Sequence, residues 1–150
     1  MSYMGRYERI LVPTDGSEET RRAVEHAIDL AEEHDATIHA LYVVNSASFS
    51  SLPMESSWES VASMMNKEGE AALDDVEGIA EERGVTVERA LVDGNPSREI
   101  VRYAEDEDCD LVVMGTHGRG GIDRLLLGSV AEKVVRSSSV PVLTVRVDEV

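Results

Sequence analysis

Short runs of β-branched residues alternate along this chain with longer stretches whose apolar residues recur every three or four positions, and that alternation restricts the fold more than any other feature. The runs are RILVP at 9–13, TIHALYVV at 37–44, VTVERALV at 85–92, DLVVMG at 110–115 and VPVLTVRV at 140–147. Two parallel strands need a crossover between them, and a helix of ten or more residues supplies it. The pattern therefore predicts one α/β domain over residues 1–150, doubly wound and Rossmann-like, with a five-stranded, mainly parallel sheet flanked by four helices. A chain of 150 residues buries one substantial core and is short for two.

The helical stretches carry their own boundaries. The first is expected from about Ser17 to His34, with Ala23, Val24, Ala27, Ile28 and Ala31 as its buried stripe. The second runs from about Glu59 to Arg83, burying Val61, Met65, Ala72, Val76 and Ile79, with Gly84 as its stop. Asn95 followed by Pro96 is a cap and first-turn proline for the third, which buries Ile100, Val101 and Ala104. The fourth spans Ser129 to Ser137 and is expected to turn Val130, Val134 and Val135 inward. The serine-rich segment 45–58, with Phe49, Pro53 and Trp58, looks like a lid-like loop rather than a second domain.

Charge narrows the function classes. Thirty acidic residues against fourteen basic ones leave a net charge of −16, which opposes binding to nucleic acid or to an anionic membrane. Only Lys67 and Lys133 are lysines. An acidic, lysine-poor surface resembles those of proteins from a salt-rich cytoplasm, where a short Debye length screens self-repulsion. No stretch reaches the roughly 18 apolar residues of a membrane helix, and the opening MSYMGRYERI lacks a secretory apolar block, so a cytoplasmic location is expected. Cys109 stands alone and cannot form an internal disulfide; it reads as a small buried residue before a strand. His26, His34, His39 and His117 lack zinc-ligand spacing, so no metal site is expected.

In open α/β sheets ligands lie beyond the carboxyl ends of the strands at the switch point, which selects the segments after the first and fourth strands. After the fourth strand, MGTHGRGGIDRLLLGSVAEKVV places five glycines between a buried strand and a helix. Glycine lets backbone amides approach a polyanion, and the helix start adds partial positive charge. A tight ligand-free connection has the same composition. The Walker pattern is absent, and the dinucleotide pattern fails because Asp123 stands at its third glycine position.

Gly115, two residues, Gly118, nine residues, then Gly128-Ser129 is similar to the ATP-binding pattern of the universal stress protein family. MGTHGRGG, RLLLGSVAEKVV, SSVPVLTVR and the opening ILVPTDGSE extend the resemblance over nearly the whole chain. It implies an adenine nucleotide alpha-hydrolase-like fold, ATP as ligand with magnesium left open, and a homodimer. The long apolar edge at 140–147 also invites pairing with a second copy. By the same resemblance Pro13, Thr14 and Asp15 meet the adenosine and Val43 offers backbone contacts to adenine. Met114, Gly115, Gly118, Arg119, Gly128, Ser129 and Val130 then surround ribose and phosphates.

Each assignment has a rival. Asp15 with Glu18, and Ser129 with Glu132, have the spacing of helix capping boxes. A carboxylate repels phosphate, so a ligand role for Asp15 places it at the ribose hydroxyls or a magnesium ion. Arg119 is either a solubilising arginine or a phosphate donor. His117 lacks a nucleophile partner at a recognised spacing and reads as part of the glycine loop, so no catalytic residue is assigned. The favoured function is a nucleotide-dependent stress-response module; the alternative is a slow ATPase or a phosphoryl or adenylyl transferase using the same pocket.

Overall fold

The computed structural model describes residues 7–45, 58–116 and 128–146. Its elements follow the expected order: β1 (Arg9–Pro13), α1 (Glu18–His34), β2 (Thr37–Val44), α2 (Trp58–Glu82), β3 (Val87–Asp93), α3 (Pro96–Asp106), β4 (Leu111–Gly115), α4 (Ser129–Ser137) and β5 (Val142–Val145). The five strands form one parallel sheet in the order β3-β2-β1-β4-β5. This is the doubly wound α/β architecture. Strand β1 is central, with β2 on one side and β4 on the other, so the chain reverses its direction of travel there.

Alternation along the strands divides the core. Ile10, Val12, Ile38, Ala40, Leu111 and Val113 face Ala23, Val24, Ala27 and Ile28 of α1 and Leu73 and Val76 of α2. Leu11, Leu41, Val112 and Met114 face Ile100 and Ala104 of α3 and Ala131 and Val134 of α4. Near-continuous burial on both faces explains why β1 and β4 read as unbroken apolar runs rather than alternating ones. Helix α2 comes close to the sheet because residue 69 is glycine: a Cβ there would stand 2.6 Å from Leu91 Cδ1 and 2.9 Å from Tyr42 Cδ1.

The differences from expectation lie at element ends and on one helix face. Strand β3 begins two residues late, since the Val85 amide is drawn back to the Ala80 carbonyl across Gly84 at φ +71°. That contact closes the end of α2. Asp110 caps the sheet instead of joining β4; its Oδ2 accepts from the amides of Glu8 and Arg9 at 2.8 and 3.0 Å. Strand β5 begins at Val142 rather than at 140 because Pro141 has no amide to donate, although its carbonyl accepts from Val112; Val147 lies outside the described residues. On α4 the inward residues are Ala131 and Val134, with Val130 partly covered, whereas Val135 is 46% exposed. The short helix covers α3 and the sheet with one narrow face, and Val135 falls outside it. Segment 46–57, which holds most of the expected lid-like loop, lies outside the described residues.

Candidate functional site

Two loops leave the carboxyl edge of the sheet on either side of the β1–β4 junction. After β1, the Thr14 amide continues the ladder to the Leu41 carbonyl at 2.9 Å, and the chain then turns through Gly16 at φ +79°. The Gly16 amide donates to the Thr14 hydroxyl at 3.1 Å, and the Ser17 amide donates to Asp15 Oδ1 at 2.9 Å. Ser17 is the cap of α1: its Oγ accepts from the Thr20 amide. Asp15 therefore does not cap the helix. It stands two residues ahead of the cap, and its carboxylate bonds to the turn instead.

After β4, the Thr116 amide donates to the Val145 carbonyl at 3.1 Å. The Gly128 amide then donates to the Thr116 carbonyl at 2.7 Å, so the glycine-rich segment leaves and returns at one point of the sheet edge. Gly128 occupies the cap position of α4 in an extended conformation and has no side chain to satisfy the first amides. Ser129 is the first helical residue and not a cap, and the Glu132 carboxylate pairs with Arg136. The capping box read for Ser129 and Glu132 is absent because the helix starts one residue earlier than that reading requires, with Gly128 in the cap position. The opening amides of α4 point out of the helix start, where a polyanion is favoured.

Val43 is half-buried near the end of β2, packed on the α3–α4 side of the sheet that Met114 shares. Beyond it the Gly94 amide donates to the Val44 carbonyl, and Asn95 caps α3 by accepting from the Arg98 amide. The structure thus sets Pro13, Thr14, Asp15, Val43, Met114, Gly115, Gly128, Ser129 and Val130 along one edge of the sheet. Gly118, Arg119 and His117 lie outside the described residues.

A family model described as the universal stress protein family matches residues 6–146. The chain belongs to the universal stress protein family. It is 46% identical to universal stress protein MJ0531 of Methanocaldococcus jannaschii over 140 residues, 93% of this chain and 82% of that protein. Universal stress protein YxiE of Bacillus subtilis is 32% identical over 147 residues, covering 93% of this chain and 99% of the relative. Among solved structures, protein MJ0577 superposes with a TM-score of 0.85 at 31% identity, covering 96% of this chain and 99% of that one. A universal stress protein in complex with cAMP superposes with a TM-score of 0.74 at 28% identity, over 96% of this chain and all 100% of that one.

Two polar features of this universal stress protein escaped the sequence reading. Thr20 sits on the buried stripe of α1, 7% exposed, with its hydroxyl 3.2 Å from Asp15 Oδ1. A hydroxyl residue three positions after Ser17, where the stripe calls for an apolar one, was the available signal. At the amino end of the sheet, His39 is buried beneath α3 and bonded to Tyr103. Burial lowers the His39 pKa, while Glu88 and Glu107 oppose that shift. Burial also pushes the Cys109 thiol up to about 12, which keeps it protonated and poorly nucleophilic. Among the described residues no three His, Cys, Asp or Glu side chains gather into a metal-holding group, and no helix is long and apolar enough to cross a membrane.

Proposed function

We propose that this universal stress protein is an ATP-binding regulatory module whose nucleotide occupancy changes its partners, with at most slow hydrolysis. The observation that carries the reading is the start of α4: its capping residue is a glycine without a capping side chain, and its first turn is tied to the end of β4 through Gly128 and Thr116. Amides at a helix start suit a phosphate, and the donor set fits the group. The solved relative in complex with cAMP supports an adenine nucleotide as the class of ligand.

In this reading Pro13, Thr14 and Asp15 contact the adenosine, and Val43 presents backbone groups to adenine. Met114, Gly115, Gly118, Arg119, Gly128, Ser129 and Val130 surround ribose and phosphates. The Asp15 carboxylate, repelled by phosphate, serves the ribose hydroxyls or a magnesium ion. A homodimer through 140–147, a cytoplasmic location and a salt-rich host complete the proposal. Mass spectrometry of small molecules released from freshly purified, denatured protein tests it. Adenine nucleotide in the extract supports the reading; its absence, with no binding of added ATP at millimolar concentration, rejects it.

A further inference from the structure

We propose that Thr20 is a positioning residue, whose buried hydroxyl holds the Asp15 carboxylate in the orientation that receives the ribose hydroxyls of a bound nucleotide. The inference rests on the adenine-nucleotide reading of the site and names the contact by which that site recognises the sugar.

Burying a hydroxyl among apolar residues is unfavourable unless it finds partners, and Thr20 lies on the α1 stripe that also buries Ala23, Val24 and Ala27. Its partners are arranged in sequence. The hydroxyl donates toward Asp15 Oδ1 at 3.2 Å and toward the Ser17 carbonyl at 3.0 Å. One proton serves both positions, and the charged carboxylate is the stronger acceptor. On the other side of Thr20 Oγ1 lie the hydroxyls of Thr14 and Ser17, each at 3.4 Å. Thr14 already accepts from the Gly16 amide. Its own proton is therefore available to Thr20, which frees the Thr20 proton for Asp15.

Asp15 Oδ1 thus receives two donors of different origin, the Ser17 amide at 2.9 Å and the Thr20 hydroxyl. Rotation about χ1 withdraws the carboxylate from both donors, so the pair helps to set the direction of the group. The amide belongs to the turn and stays whenever the turn forms. Only the hydroxyl depends on residue 20. A carboxylate so oriented in the turn after β1 repels phosphate and suits the neutral, donor-rich part of a nucleotide, its cis-diol.

The test is equilibrium binding of ATP and of 2′,3′-dideoxy-ATP to the wild type and to Thr20→Val and Thr20→Ser. The wild type is expected to prefer ATP. Thr20→Val should lose about tenfold in ATP affinity, the value of one hydrogen bond to a charged group, and leave the dideoxy affinity unchanged. Thr20→Ser keeps the hydroxyl without the methyl and should match the wild type with both nucleotides. If the valine variant does not fold, Thr20→Ala provides the same comparison without added branching. Equal losses for the two nucleotides, a matching loss in Thr20→Ser, or no loss at all would show that Thr20 only packs the helix and would overturn the inference. A wild type that binds both nucleotides equally overturns it as well but leaves the site intact, whereas a wild type that binds neither rejects the site itself.

Discussion

His39 Nδ1 lies 2.8 Å from the Tyr103 hydroxyl, so α3 is fastened to the amino end of β2 by a polar contact between a buried imidazole and a half-buried phenol. The two rings meet edge-on with centroids 5.7 Å apart. Desolvation lowers the His39 pKa from 6.5, with Arg9 acting in the same direction and Glu88 and Glu107 against it. Between the lowered folded value and the ordinary unfolded one, the unfolded chain binds the extra proton. The neutral imidazole therefore stabilises the fold fully above pH about 6.5, and that stability is lost as pH falls through the folded pKa. Melting at pH 7.5 and 5.5 should show a larger acid loss in the wild type than in His39→Gln, which cannot titrate. Equal losses in the two proteins would assign the acid sensitivity elsewhere.

At the glycine-rich segment, ATP with magnesium should raise the melting temperature. A ligand at 100 times its dissociation constant adds about 2.7 kcal/mol to the native state. For a domain of this size that corresponds to a rise of about 5 to 11 °C. Gly128→Val places a branched side chain at the start of α4, where the amides must approach phosphate, and should abolish the rise while the unliganded melting temperature changes little. Accumulation of ADP at several turnovers per minute in the same samples would favour an enzyme over a binding module.

The side of β5 away from β4, at the end of the order of described strands, provides a sharper test of the proposed dimer than its side chains do. The carbonyls of Pro141 and Val145 accept from the amides of Val112 in β4 and of Thr116 just after it, so odd-numbered residues of β5 direct their backbone toward β4 and the even-numbered ones direct it outward. Leu143 and Val145 also pack against the core. Thr144→Pro accordingly removes an outward donor and keeps the β4 ladder, and it should yield a folded monomer in light scattering. A variant that remains dimeric would place the interface elsewhere.

Carboxylate repulsion should make stability salt-dependent, and Arg89 is the place to measure it. Its guanidinium reaches Asp74 and Glu77 at 2.7 Å and Glu70 at 2.5 Å, gathering three acids of α2 over β3. Arg83 plays a similar part between α2 and Asp29 and Glu32 of α1. Arg89→Gln should lower the melting temperature clearly at 0.1 M KCl and much less at 2 M, where the Debye length falls from about 10 Å to a few Å. An unchanged wild-type midpoint between those concentrations would remove the proposal of a salt-rich host.

Strand and helix positions were legible because their signals are local. Ile10 to Val12 are apolar in succession since both sheet faces are covered, and Asn95-Pro96 starts α3 through its own side chain and fixed φ. The segment proposed as the site was legible as a candidate for a related reason, since glycines 115, 118 and 128 mark it in the sequence whatever packs around it. Capping was legible at Asn95 but not at the two site helices: Asp15 and Ser129 both have cap spacing, yet Ser17 and Gly128 are the caps. Which of several neighbouring polar residues takes that place depends on the direction in which the preceding strand delivers the chain.

The amino-acid sequence by itself determined the order of the elements, the apolar face of α1 and the glycine spacing after β4, because each depends on residues within a few turns of one another. Only the tertiary structure decided the strand order, the burial of Thr20 against Asp15, the bond between His39 and Tyr103, 64 positions apart, and the exposure of Val135. These depend on which side of the sheet each crossover takes and how closely a helix approaches it. The resulting contacts join residues that no periodicity along the chain connects.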